Sequence, residues 1–197
     1  SDEMLNMGFQ EDLNSILELT PTDKLTWLFA ATMPKGIHAI TSKYLSDPYE
    51  ITIGEKNAAA DNINHIYYMV HEKDRYKALK RIVDANPDIF AIVFCRTKLE
   101  TQGIAEKLIN DGYNADSLHG DLSQNLRDKV MKHYRDRSLQ LLIATDVAAR
   151  GIDVNDVSHV INYRLPDELE IYTHRSGRTA RAGKSGITIS IANTKDM

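Results

Sequence analysis

The 197 residues amount to one domain and a remainder, at roughly 150 residues per domain. Hydrophobic residues at 42 % and charged residues at 26 % exclude a mainly disordered chain. The net charge of −4 excludes a bulk basic field, so a nucleic-acid role must rest on a local cluster. The single cysteine, Cys95, allows no intrachain disulfide and no Cys-rich metal cage, and no histidines or cysteines stand at zinc spacing, so no metal site is expected. A reducing, cytoplasmic compartment fits this usage. The longest apolar runs, such as 90–95, fall far short of the roughly 20 residues a membrane helix needs. The start of the chain is acidic, unlike the basic opening of a signal peptide.

Charge is uneven along the chain. Residues 1–23 hold six acids and no Lys or Arg, whereas residues 62–197 hold 20 bases and 18 acids. The predicted elements begin with a helix over 2–19, where Leu5, Phe9, Leu13, Ile16 and Leu17 repeat at helical spacing. Residues 25–31 read as a short buried strand. Pro34 opens a second helix, and 49–53 alternates as a strand. Residues 57–61 lack an anchoring apolar side chain and read as a linker between a first piece, 1–56, and a domain at 62–197. Beyond it strands are predicted at 63–70, 89–95, 115–118, 139–144, 157–162 and 186–191. Helices are predicted at 72–85, 98–110, 123–135 and 168–174, with Ser123 as an N-cap. Strands alternating with helices of this length give an α/β fold, a parallel sheet covered on both faces. Its chemistry belongs on loops past the carboxyl ends of the strands.

Two tracts fall where such chemistry collects. Residues 174–183 read His-Arg-Ser-Gly-Arg-Thr-Ala-Arg-Ala-Gly. The arginines repeat every third residue among small side chains, and no acid stands at i+4 to pair them. Small residues let the backbone approach an anion, and guanidinium forks clasp its oxygens. A solvated basic helix is the plainer alternative, weakened by Gly177 and Gly183. Residues 144–153 read Ala-Thr-Asp-Val-Ala-Ala-Arg-Gly-Ile-Asp after a buried strand, so Thr145 caps whatever follows, and Asp153 could hold a ribose hydroxyl. An ordinary strand–turn–helix connection explains this tract equally well. Gly183-Lys184-Ser185 is not the end of a phosphate loop: the first glycine of that motif would have to be Arg178, and the triplet opens a strand rather than a helix.

Together these tracts resemble motifs V and VI of the DEAD-box ATP-dependent RNA helicases of bacterial type. Asp2-Glu3-Met4-Leu5 is similar to the segment that starts at the last Asp of that family's acidic motif. Phe29-Ala30-Ala31-Thr32-Met33-Pro34 is similar to motif III, Val93–Lys98 to motif IV, and His119-Gly120-Asp121 with Gln124 and Arg127 to the RNA-contacting motif IVa. The resemblance covers nearly the whole chain. It implies a RecA-like second domain at 62–197, preceded by the tail of a first RecA-like domain.

The resemblance further implies ATP with Mg2+, mostly bound by the first domain, and RNA as partner. It makes Arg178 and Arg181 arginine fingers, with His174 linking them to motif III. It places Asp153 and Gly151 at the nucleotide, and Arg96, Thr97, Gly120, Gln124, Arg127 and Thr145 along the RNA backbone. Asp2, Ala30 and Thr32 fall to coupling between the domains, and Arg150 and Arg175 to holding the loops together and to the same domain interface. Motif III normally begins with Ser where this chain has Ala30, which puts the coupling of hydrolysis to unwinding in question. The phosphate loop lies outside this sequence, so the chain alone is expected to be inactive. Its first piece, apolar along one face, is expected to self-associate. The alternatives are a non-hydrolysing RecA-like RNA-binding or scaffold module and, more weakly, a DNA-unwinding relative.

Overall fold

Side-chain alternation in one strand decides the layers. Along β2 (Ala91–Phe94) and its flanks, Ala91, Val93 and Cys95 face one way, and Phe90, Ile92 and Phe94 face the other; all six are buried. β4 (Leu141–Ala144) repeats the division, Leu141 and Ile143 against Leu142 and Ala144. A strand apolar on both faces sits between two layers of helices. The first layer is α3 (Arg75–Asp84), entered through a 3-10 turn at Glu72–Asp74, and α4 (Lys98–Asn110), which bring Leu79, Ile82, Ile104 and Leu108 onto the sheet. The second is α5 (Gln124–Arg135) and the single turn α6 (Asp146–Ala149), with Val130, Met131, Tyr134 and Ala148. The Tyr134 ring stacks on Phe90 at 4.4 Å.

The computed structural model describes residues 8–30, 35–52, 62–154, 156–181 and 183–196, and the chain divides into two compact units, 1–58 and 59–197. In the second unit six strands form one sheet in the order β1-β6-β5-β2-β4-β3, and every pair is parallel. The remaining strands are β1 (Ile63–Met69), β3 (Ala115–Leu118), β5 (His159–Asn162) and β6 (Gly186–Ala192). Ala91 of β2 aligns with Leu141 of β4 on one side and His159 of β5 on the other. The last helix is α7 (Leu169–Ser176), ending at Gly177.

The sequence-based fold class is therefore found, with instructive offsets. Predicted strands began two residues early at Ile89, Leu139 and Val157. All three are buried but stand outside the ladders, because apolar content reports burial and not backbone pairing.

The first unit holds α1 (Gln10–Glu18) and α2 (Lys35–Tyr44), with the Tyr44 hydroxyl donating to Asn14 at 2.6 Å. The strands expected at 25–31 and 49–53 are not found in the described residues 25–30 and 49–52. Leu25, Trp27 and Tyr49 are 91 %, 80 % and 90 % exposed. A short apolar run becomes a strand only where a neighbouring strand completes its hydrogen bonds. The predicted start of α1 at residues 2–7, and Pro34, lie outside the described residues.

Candidate functional site

Three strand ends place the first group of candidates. Past β2 come Arg96 and Thr97, past β3 Gly120, and past β4 Thr145. Thr97 and Thr145 use their hydroxyls as N-caps, accepting from the Glu100 and Ala148 amides at 3.2 and 3.4 Å. Exposed Arg96 donates to the Leu165 carbonyl and pairs with Asp167 at 2.8 Å. Its amide is held by one oxygen of Glu100 at 3.1 Å, while the other Glu100 oxygen takes Arg164 at 2.8 Å. Ser123 caps α5 as expected, and in the first turn Gln124 donates to Asp128. Arg127, half-buried, has no side-chain hydrogen bond or ion pair among the described residues. Lys98 pairs with Asp121 at 2.5 Å across the mouth between α4 and the loop after β3.

Arg175 is only 3 % exposed and joins three elements. Its guanidinium grips both oxygens of Asp146 at 2.6 and 2.8 Å, donates to the Asn162 side chain at 2.9 Å and to the Arg164 carbonyl at 2.7 Å, and lies over the Phe94 ring. A planar fork with five donors suits this set, and an ammonium could not satisfy it. Arg175 thus fastens α7 to the start of α6 and the end of β5. Among the described residues its side-chain bonds lie within the second unit; from sequence it is given roles in holding the loops together and at the domain interface.

The loop after α7 carries the other arginines. Arg178 donates to the Ile152 carbonyl at 3.3 Å. Arg181 donates to the Gly177 carbonyl and pairs with Asp153 at 2.7 Å. The Asp153 carboxylate is 88 % exposed. Gly151, with φ +71, supplies the left-handed turn that leads into Asp153. Between the arginines, Thr179 is buried and donates to the carbonyls of Val157 and Ser158, which precede β5. The chain from Arg175 to Arg181 therefore runs from the carboxyl end of β5 back towards its amino end. From sequence these residues fall past β2, β3 and β4 and after the helix ending at His174; in the structure Arg96, Thr97, Gly120 and Thr145 stand past the strand ends, Asp153 on the loop after α6, and Arg178 and Arg181 on the loop after α7.

The rest is more scattered. His174 and Arg150 are half-buried. Ala30 is exposed in the first unit, and Asp2 and Thr32 lie outside the described residues. Among the described residues no three His, Cys, Asp or Glu side chains converge as metal ligands. A cavity of about 620 Å³ opens between the amino ends of β1, β5 and β6, lined by Asn62, Asn64, Ser158, His159 and Ser185, and none of the candidate residues lines it. Sequence reasoning missed Arg164, Glu100 and Asn62. The first two could have been found by asking which polar residues follow strand ends.

Comparison with known proteins defines the class. Residues 74–183 match the helicase conserved C-terminal domain, more than half of the chain. The chain belongs to that family, on its DEAD-box branch, and its fold is the RecA-like α/β fold of those proteins. It is 42 % identical over its whole length to the DEAD-box ATP-dependent RNA helicase CshA of Geobacillus kaustophilus and 41 % to the CshA helicase of Limosilactobacillus reuteri. It spans 42 % and 40 % of their lengths. Among solved structures, a DEAD box protein from Methanococcus jannaschii is 46 % identical, with TM-score 0.67 over 99 % of this chain and 52 % of that one. Dbp5 of S. cerevisiae, bound to RNA and ADP BeF3, is 30 % identical, with TM-score 0.83 over 96 % of this chain and 50 % of its own. No helix among the described residues is long and apolar enough to cross a membrane.

Proposed function

We propose that this chain is the C-terminal part of a cytoplasmic ATP-dependent RNA helicase, which unwinds or remodels RNA when a preceding RecA-like domain closes on it around ATP and Mg2+. The observation that carries the reading is the placement of Arg178, Arg181 and Asp153 on adjoining loops, with the Arg181–Asp153 pair reaching solvent. Phosphoryl transfer needs positioning and charge neutralisation above all, and arginines brought in by a second domain supply both only when it docks. The donor set fits a nucleoside triphosphate: Asp153, beside Gly151, can accept from ribose hydroxyls, and two guanidinium groups can reach phosphate oxygens. His174 completes this side as the link to motif III. Thr32 and Asp2 are assigned to the same coupling by resemblance alone, together with Ala30 and Arg150. The magnesium falls to the preceding domain.

RNA is assigned to the other group. Arg96 and Arg127, with Thr97, Gly120, Gln124 and Thr145, stand at the carboxyl end of the sheet and offer charge and hydroxyls to a phosphate backbone, without base readout. A non-hydrolysing binding or scaffold module would have no use for the Arg178, Arg181 and Asp153 constellation. Lacking a phosphate loop of its own, this chain alone turns over no ATP.

The test divides the arginines. In the full-length enzyme Arg181→Ala is expected to lower kcat about a thousandfold while RNA affinity survives. Arg127→Ala is expected to weaken RNA binding and reduce its salt slope by about one unit, with kcat at saturating RNA retained. One shared phenotype for both substitutions would overturn the division.

A further inference from the structure

The arginine loop is held at one point by a residue that neither tract contains. Asn62 immediately precedes β1 and follows the segment that the sequence reads as a linker. Its side-chain amide has two protons and uses both on the loop, donating to the carbonyls of Ala180 at 2.9 Å and Lys184 at 2.5 Å. Its own carbonyl accepts from the amide of Gly186 at 3.0 Å. One residue thus closes three bonds to a segment more than 110 positions away in the chain.

The loop needs such a hold. Ala180, between the two arginines, has φ +58, a conformation that a residue with a Cβ adopts at a cost. Such a conformation persists only where its surroundings over-determine it. Three contacts do so. Thr179 is anchored to the carbonyls of Val157 and Ser158. Gly186 lets the loop lie against its backbone, since a Cβ there would stand 2.8 Å from the Ala180 nitrogen and closer still to the Thr179 hydroxyl. Asn62 fixes the carbonyl of the strained residue itself. With Thr179 and Ala180 pinned, the Cα positions of Arg178 and Arg181 are set.

We propose that Asn62 is a positioning residue for the arginines of the 178–184 loop, orienting them for catalysis from the point where the second domain begins. The proposal rests on the nucleotide-facing reading of Arg178 and Arg181. Asn62 acts through the Ala180 and Lys184 carbonyls. Because the same residue heads β1, the placement of the arginines is tied to the course of the chain as it enters the domain.

The experiment compares Asn62→Asp, Asn62→Ala and Arg181→Ala in the full-length enzyme, by RNA-stimulated ATPase assay and hydrogen exchange. Asn62→Asp keeps the shape and removes both donors. It is expected to lower kcat at least tenfold, leave the RNA dissociation constant within twofold, and speed exchange in 178–184 while β2 and β4 stay protected. Asn62→Ala should behave the same way. If Arg181→Ala collapses kcat but both Asn62 variants keep it, with unchanged exchange in the loop, the positioning role is wrong. If Arg181→Ala itself leaves kcat intact, the nucleotide-facing reading fails, whatever Asn62 does. Loss of protection in β2 and β4 in both Asn62 variants would make it a residue of general stability and overturn the proposal.

Discussion

Arg175 shows what one buried side chain can hold. Its donors satisfy a carboxylate, a side-chain amide and a backbone carbonyl, all drawn from elements that share no ladder with α7. Removing it leaves Asp146, itself only 29 % exposed, without its cation, and leaves Asn162 and the Arg164 carbonyl short of a donor. Breaking one side of such a set costs several kcal/mol, because the remaining partners stay buried and unsatisfied. Arg175→Ala is therefore expected to destabilise the second unit by about 3 kcal/mol in urea unfolding. Arg175→Lys should recover little of it, since an ammonium cannot make the two-pronged contact with Asp146 and also reach Asn162. A lysine variant as stable as the parent would show that charge alone suffices there. Legibility in the sequence followed chain distance. Ser123 and Thr145 were readable as caps because each partner lies three residues on. The Arg175 partners lie 13 and 29 residues back, and those of Asn62 more than 110 away, where no local pattern reaches.

Elements are joined by a second polar cluster past the carboxyl ends of β1, β5 and β6. Arg75 of α3 is fully buried and bonds the carbonyls of Tyr163 and Ile191 and the Asp196 carboxylate. Glu72, in the 3-10 turn, accepts from Arg164, Arg75 and Asn193. The Arg164 hydrogen bond, foremost, with the nearby Arg75 charge, holds the Glu72 carboxyl below the usual carboxylate range. A depressed acid contributes stability above the ordinary carboxylate value and loses it as pH falls through its lowered folded value. Glu72→Gln should therefore be less stable than the parent at pH 7, by about 1 kcal/mol or less for so exposed a group. The gap should close as unfolding is measured at pH 5, 4 and 3. A gap that stays constant to pH 3 would mean the carboxylate charge plays no part. The predicted helices and the parallel sheet were legible because a period of 3.6 or a doubly buried run survives any tertiary context. The strands expected at 25–31 and 49–53 were misread because their apolar residues require a neighbouring ladder that the described residues do not contain.

At the scale of the whole molecule the two units differ in how much apolar surface they leave in water. The second encloses β2, β4 and β5 between helices and leaves only its edge strand β1 largely exposed. The first leaves Leu25, Trp27, Phe29, Tyr49 and Ile51 each more than three-quarters exposed. Exposed apolar surface of this kind drives association. The acids of residues 1–23, six against no Lys or Arg, repel a second copy, and this repulsion is screened as salt rises. Association of this chain should therefore strengthen with added salt, the reverse of the salt dependence expected for RNA binding. Trp27 is the only tryptophan and is 80 % exposed, so its emission reports this surface and nothing else. Sedimentation velocity is expected to give a concentration-dependent dimer, stronger at 0.5 M than at 0.05 M NaCl, with a blue shift of the emission along the same titration. Phe29→Ser, which removes one exposed ring without touching the second unit's core, should weaken the dimer at least severalfold. A monomer at every concentration and salt, with emission unchanged, would mean that the first unit's apolar residues do not associate in water, and the self-association proposed from their spacing would fall.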